Sequence, residues 1–272
     1  MNGSPPFQAD YNQSQRWVNI HAMTELLLAT KDLRSLSWIT GEVEEQTNPT
    51  QLPSWVSDFC GRIKTVNTYK PISTDNKGIW ADGQRAYAAG LNHDNVAPRF
   101  EEEGLVLVVR GLQVDSIDRL GSCCPEFQYF GTDSDRIPLT QTLENWKRFA
   151  GVPLDEADYH NSEQNSNFWR TVLLDRKAST ISRLSDHECE RLGAEEPIIP
   201  RTVENEEKLV ARLEHLPGPI FGKRFTVTSR GFMGLCPGQT CVGDQVCVLV
   251  GGEVPYIVRP IRDGYYKLIG EW

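Results

Sequence analysis

The sequence predicts an α+β protein, with helices packed on an antiparallel β core and a small β-barrel or curled meander at the C-terminus. Three observations lead there. Apolar residues recur at helical spacing in several segments of the first 216 residues. From Phe221 the period switches to that of strands. About five short strands then fit into roughly 50 residues, a density that suits a small closed or curled antiparallel sheet.

The helices are justified in chain order. Residues 1–9 are polar, contain Pro5-Pro6 and read as a loose end. Ser14 is placed to cap a first helix in which Trp17, Ile20, Met23 and Leu27 share a face. "LPSWVSDF" (52–59) reads as an ordered stretch anchored by Trp55, and "GIWADGQRAYAAG" (78–90) as a hairpin turning at Asp82-Gly83. "TLENWKRFAG" (142–151) places Leu143, Trp146 and Phe149 on one side and stops at Gly151. "NFWRTVLLDRK" (167–177) has an apolar face of Phe168, Trp169, Val172 and Leu173, with Arg170 and Asp175 expected outward. "SDHECE" (185–190) reads as a solvated acidic stretch. In "NEEKLVARLEHLPGP" (205–219), Leu209, Leu213 and Leu216 mark a helix that Pro217-Gly218-Pro219 ends. Trp17, Trp38, Trp55, Trp146 and Trp169 each sit in an apolar pattern and are expected in the core.

Strands come next. "GLVLVVRGLQVDSI" (104–117) is the strongest strand signal of the first half. Its apolar phase changes across Arg110-Gly111, so a bulge at Gly111 is expected to turn both apolar sets toward one core. Asp115 and Asp118 are expected to cap or turn the chain after it. "KRFTVTS" and "GFMGL" form one hairpin around Ser229-Arg230-Gly231, and "QVCVLV" and "VPYIV" a second. "IRDGYYKLI" crosses Asp263-Gly264, a type I′ signal, into the last strand. The expected organisation is a mixed helical and β region at 10–220 and a small antiparallel β module at 221–272, packed together as one unit.

Composition narrows the function. The 272 residues are 39% apolar and 24% charged, as in a globular protein, and carry a formal charge of -9. That balance argues against a nucleic-acid partner held by phosphate contacts. No secretory signal opens the sequence and no run approaches a membrane span, so a cytoplasmic protein with reduced thiols and no membrane partner is expected.

Chemical motifs are sparse. Gly251-Gly252 follows a strand, but Glu253, Val254 and Pro255 continue into another strand. The helix that a phosphate cradle needs is missing, and a turn is the simpler reading. "FGKRF" has Gly-Lys without a Ser or Thr beside it, so it is no Walker loop. The seven cysteines include no C-x-x-C pair, and no H-E-x-x-H occurs. His21, His93, His160, His187 and His215 are scattered, and no G-x-S-x-G is present. No catalytic residue, cofactor site or metal site is assigned. The single candidate surface is Tyr256 and Tyr266 as stacking rings beside Arg259, in a segment that also holds Arg224, Arg230, Arg262 and Lys267.

Three blocks together resemble the fungal heterokaryon-incompatibility proteins. "LPSWVSDF" is similar to their "LPSWVPDW", with Ser57 in place of a proline and Phe59 in place of a tryptophan. "NFWRTVLLDR" is similar to their "FWRTL…D". "RFTVTSRGFMGLCPGQTCVGDQVCVLVGGEVPYIVRPIRDGYYKLIGE" is similar to their long C-terminal block. The "Y.ALSY.WG"-like mark of their N-terminal HET domain is missing, as is a "YVHGIMDGE"-like end. The resemblance therefore implies the C-terminal region alone, a truncated or separately encoded piece. In the family, cell death or growth arrest follows fusion of unlike hyphae and is attributed to the TIR-like HET domain. What the resemblance implies here is a non-catalytic accessory or regulatory region whose partner is a protein, either a HET domain or an incompatibility partner. The alternative is an independent small-barrel module that binds a peptide or nucleic acid. A third possibility, an enzyme built from dispersed residues, needs a deep pocket of convergent polar groups. Oligomeric state leaves no mark in the sequence.

Overall fold

The computed structural model describes residues 12–39, 52–59, 89–90, 98–124, 136–152, 163–175, 183–189, 220 and 222–272. The hairpin expected at 78–90 and the helix expected at 205–219 lie outside these residues, apart from 89–90. The fold is α+β. The described helices are α1 (Gln15–Thr30), α2 (Arg136–Phe149) and α3 (Glu163–Val172). The strands are β1 (Arg99–Glu101), β2 (Val106–Val108), β3 (Gly111–Cys123), β4 (Lys223–Thr228), β5 (Met233–Pro237), β6 (Gln245–Leu249), β7 (Tyr256–Arg262) and β8 (Tyr265–Glu271).

Six strands make one antiparallel sheet in the order β5-β4-β3-β6-β7-β8, and β1 and β2 pair separately. The five C-terminal strands form the hairpins expected of them, with β3 inserted between β4 and β6. At 13 residues β3 is the longest of the described strands. Its ladders slip between Gln113 and Asp115 against β6, and between Ile117 and Arg119 and between Leu120 and Cys123 against β4. Each slip adds local twist, and the sheet curls into a half-barrel whose edge strands β5 and β8 approach. Trp272 follows β8, and its Nε1 donates to Thr226 Oγ1 of β4 at 3.1 Å. Gly234 of β5 leaves room for this indole, since a Cβ there would stand 2.3 Å from the ring.

Three apolar clusters divide the work. Ile117, Cys236, Val246, Ile257 and Ile269 form one small cluster, with Leu120 and Trp272 against it. Over β4 and β5, Phe225, Val227 and Leu235 pack with Leu143 and Trp146 of α2 and Phe168, Trp169 and Val172 of α3. Over β6, β7 and β8, Leu249, Tyr256, Val258 and Leu268 pack with Met23 and Leu27 of α1, Leu33, Leu36 and Trp55. Helices thus cover both wings of the sheet, α3 with the apolar stripe that its period predicts and α1 with Met23 and Leu27 of its predicted face.

Local signals read well where they are purely local. Ser14 Oγ accepts the Trp17 N–H at 3.2 Å, and Gly151 ends α2 at φ 72°. Other expectations need correction. The chain leaves strand geometry at Val109-Arg110, and Gly111 begins β3 in ladder opposite Leu249. A Cβ on Gly111 would lie 2.7 Å from the Leu249 side chain, so the glycine serves close approach, and the slip comes at Val114. Leu112 is consequently 70% exposed instead of buried. Asp115 and Asp118 lie within the strand rather than after it. Asp115 accepts the backbone N–H of Arg230 at 2.9 Å and so anchors the β4–β5 turn. At the β7–β8 turn only Gly264 of the two turn residues has positive φ (74°), and the ladder slips between Pro260 and Arg262. That is not type I′, which needs both residues left-handed. Trp55, Trp146 and Trp169 are buried, but Trp17 and Trp38 remain 43% and 40% exposed. Trp17 stacks on His21 and Trp38 meets Phe59 edge-on.

Arg170 and Asp175 do not simply face water. Arg170 pairs with Asp175, donates to Leu184 O at 2.6 Å and reaches Asp186 Oδ1 at 2.7 Å. The stretch beginning Ser185-Asp186 is a helical turn with a capping box, Ser185 Oγ accepting from Glu188 N and Glu188 Oε2 accepting from Ser185 N. Arg170 therefore ties α3 to this turn, and Cys189 is buried beneath it.

Candidate functional site

The sequence singled out Tyr256, Arg259 and Tyr266, and the curl of the sheet gives them three different environments. Tyr256 begins β7 opposite Glu271 and is fully buried in the cluster under α1. Its hydroxyl donates to Leu33 O at 3.2 Å and lies 3.3 Å from Ser37 Oγ. Burial pushes its ionisation above the ordinary tyrosine range. The expected pair of surface rings is therefore corrected to one, because the strand alternation at β7 starts on the inward side and the 3-10 turn Arg34–Trp38 covers it.

Arg259 is a clamp. Its Nε donates to Asp244 Oδ1 at 2.8 Å, and its Nη2 donates to Asp244 Oδ2 and to Gln239 O, both at 2.9 Å. Asp244 is buried and also accepts the Cys241 N–H at 2.8 Å. The loop 238–244 that joins β5 to β6 is held against β7 in this way, while Gln239 Nε2 donates to Ile269 O of β8 at 3.2 Å. A bidentate arginine fixes orientation as well as charge.

Tyr266 does reach the surface. It lies opposite Pro260, is 49% exposed, and is neighboured at the hairpin tip by Ile261 at 67% exposed. Arg262 sits over the Tyr265 ring, 4.0 Å from its centroid, and both side chains meet Glu102. On the separate β4–β5 turn, Arg230 lies 5.2 Å from the ring centroid of the exposed Phe232. Exposed apolar side chains beside an arginine, as at this hairpin tip, are the chemistry of a protein-contact surface. Sequence reasoning missed Ile261 and Phe232, because a β-branched or aromatic residue in a strand pattern reads as core.

Burial pushes the thiols of Cys124 and Cys236 up to about 12, which leaves them unreactive. Burial lowers the amine of Lys147 in α2 to about 8. Among the described residues, no three His, Cys, Asp or Glu side chains gather as a metal site. No described helix is long and apolar enough to cross a membrane. Gly251-Gly252 forms the β6–β7 turn, and its carbonyls accept the N–H groups of Leu33 and Gly90. Gly251 takes φ 90°, and a Cβ on Gly252 would stand 2.6 Å from the Tyr256 ring.

Residues 204–272 match the Het-6 beta-barrel domain. Over 53 residues the chain is 43% identical to heterokaryon incompatibility protein 6, OR allele, of Neurospora crassa, a stretch that covers 18% of this chain and 8% of that protein. No solved structure matches. Residues 204–272 are thus similar to the Het-6 beta-barrel domain, and a 53-residue stretch of the chain is similar to a small part of a fungal heterokaryon-incompatibility protein.

Proposed function

We propose that this region is a non-catalytic accessory and regulatory part of an incompatibility-type protein and acts through a protein partner. The Het-6 beta-barrel match carries the reading. Non-self recognition and cell death would be exerted by a HET domain, and this region would bias that domain by contact. The β7–β8 tip, with Ile261, Tyr266 and Arg262, is the surface best suited to the contact, since its apolar groups are exposed beside a guanidinium. The alternative of an independent module binding a peptide or nucleic acid relies on two surface rings, and Tyr256 is in the core.

The experiment is calorimetric titration of the purified chain with a purified HET domain, alongside the Ile261→Asp and Tyr266→Ala variants. Binding by the native chain and a loss of about tenfold or more in each variant is the expected result. No heat with the native chain, or equal affinity in all three, refutes the reading. Expression in a fungal host then tests regulation, as the intact surface should change the death of fused hyphae and the Ile261→Asp surface should not.

A further inference from the structure

A second feature of the molecule borders that tip. The N-terminal half of α1 and the loop Glu103–Leu105 border an open cleft of about 430 Å³, within the size range of ligand sites. Trp17, Ile20, His21 and Thr24 form the helix wall, on one face by helical spacing. Trp17 stacks nearly parallel on His21, with centroids 4.6 Å apart and planes at 26°, and stays 43% exposed. The stack holds the indole against α1, and the ring lines the cleft.

The opposite wall has unusual backbone. Glu102, Glu103 and Gly104 take φ of 49°, 58° and 86° in succession, the left-handed region that glycine adopts freely and glutamate does not. Neighbours enforce this path. Tyr265 Oη donates to Glu102 Oε1 at 3.1 Å, Arg262 approaches the same oxygen at 3.6 Å, and Trp55 Nε1 donates to Leu105 O at 3.0 Å. These contacts account for a glutamate at 102. They do not account for one at 103. Among the described residues the Glu103 carboxylate meets no donor or cation, and it borders the cleft. Arg16 borders the cleft as well and is engaged in an interaction of its own.

We infer that this cleft binds the ammonium or guanidinium group of a basic side chain from a protein partner. The Trp17 ring attracts the cation through its quadrupole, the Glu103 carboxylate supplies the opposing charge, and Ile20 and Leu105 cover the aliphatic stem. The net charge of -9 draws a basic partner toward the chain. The inference rests on Trp17 and Glu103; the β7–β8 tip enters only through the Tyr265 and Arg262 contacts that hold Glu102.

The test is titration of the full chain with a blocked Gly-Arg-Leu tripeptide, with the same peptide carrying neutral citrulline in place of arginine, and with ethylguanidinium as a free cation. The arginine peptide binds, and the citrulline peptide binds about tenfold more weakly or not at all. Glu103→Gln and Trp17→Leu each weaken the arginine peptide about tenfold, with thermal midpoints near the native one because both side chains are exposed. Glu103→Gly, which adopts the left-handed backbone without strain, raises the midpoint and still loses the peptide. Equal affinity for the two peptides, or unchanged affinity in Glu103→Gln or Glu103→Gly, overturns the inference. Ethylguanidinium binding as tightly as the peptide overturns the assignment to a partner's side chain.

Discussion

Replacing Arg259 by alanine should loosen the closure of the half-barrel. Arg259 gives two hydrogen bonds to Asp244 and one to Gln239 O, at 2.8 to 2.9 Å. The Asp244 side chain is only 3% exposed, so truncating its partner leaves a carboxylate in the interior with the Cys241 N–H. Breaking a buried pair from one side costs about 3–5 kcal/mol. Arg259 is 32% exposed, which lets water replace part of what is lost and moves the figure toward the low end, about 3 kcal/mol. For a chain of this size that corresponds to a midpoint lower by roughly 6 to 12 °C. Urea unfolding provides the assay, and the transition should shift to lower denaturant with an unchanged slope. Arg259→Lys keeps the charge but not the bidentate fork, and should fall between the two. A loss below about 0.5 kcal/mol in Arg259→Ala would place Arg259 among ordinary surface residues and refute the clamp.

Two further predictions concern the interior. Burial lowers Lys147 from 10.5 to about 8, so below pH 8 the folded protein bears a buried charge that the unfolded chain solvates. The unfolded state binds more protons between about pH 8 and 10.5, hence this group adds stability as pH rises through that window. Lys147→Met should therefore raise stability at pH 7, by up to about 3 kcal/mol, and the gain should shrink toward pH 10.5 in paired urea titrations; a gain independent of pH refutes the assignment. Gly234→Ala should displace the Trp272 ring, since its Cβ would fall 2.3 Å from it. The expected cost is about 1–3 kcal/mol, and deleting Trp272 should abolish most of the difference between Gly234 and Ala in a double-mutant cycle.

Much of this architecture is written locally. The hairpins β4–β5, β6–β7 and β7–β8 follow from alternation and turn residues, and α1 and α2 follow from period, cap and stop. Where the sequence pattern misled, a contact distant in the chain had intervened. Gly111 looked like a bulge but makes room for Leu249, and Leu112 looked like core but faces water. Arg170 and Asp175 looked solvated, yet they pair with each other and Arg170 reaches on to Leu184 and Asp186.

The sequence by itself determined the α+β class, the strand-rich C-terminus, the turn at Gly251-Gly252 and the family likeness. Each of these depends on periodicity or on an ordered string of residues, and both survive without knowing what packs where. Tertiary structure alone decided that β3 would divide β4 from β6, that Tyr256 would be interior while Tyr266 stayed outside, and that Arg259 would serve Asp244 instead of a ligand. It alone brought Glu103 across from Trp17, more than eighty residues away in sequence. The physical reason is that strand alternation tells which residues share a face, whereas the curl of the sheet and the elements laid over it decide which face meets water.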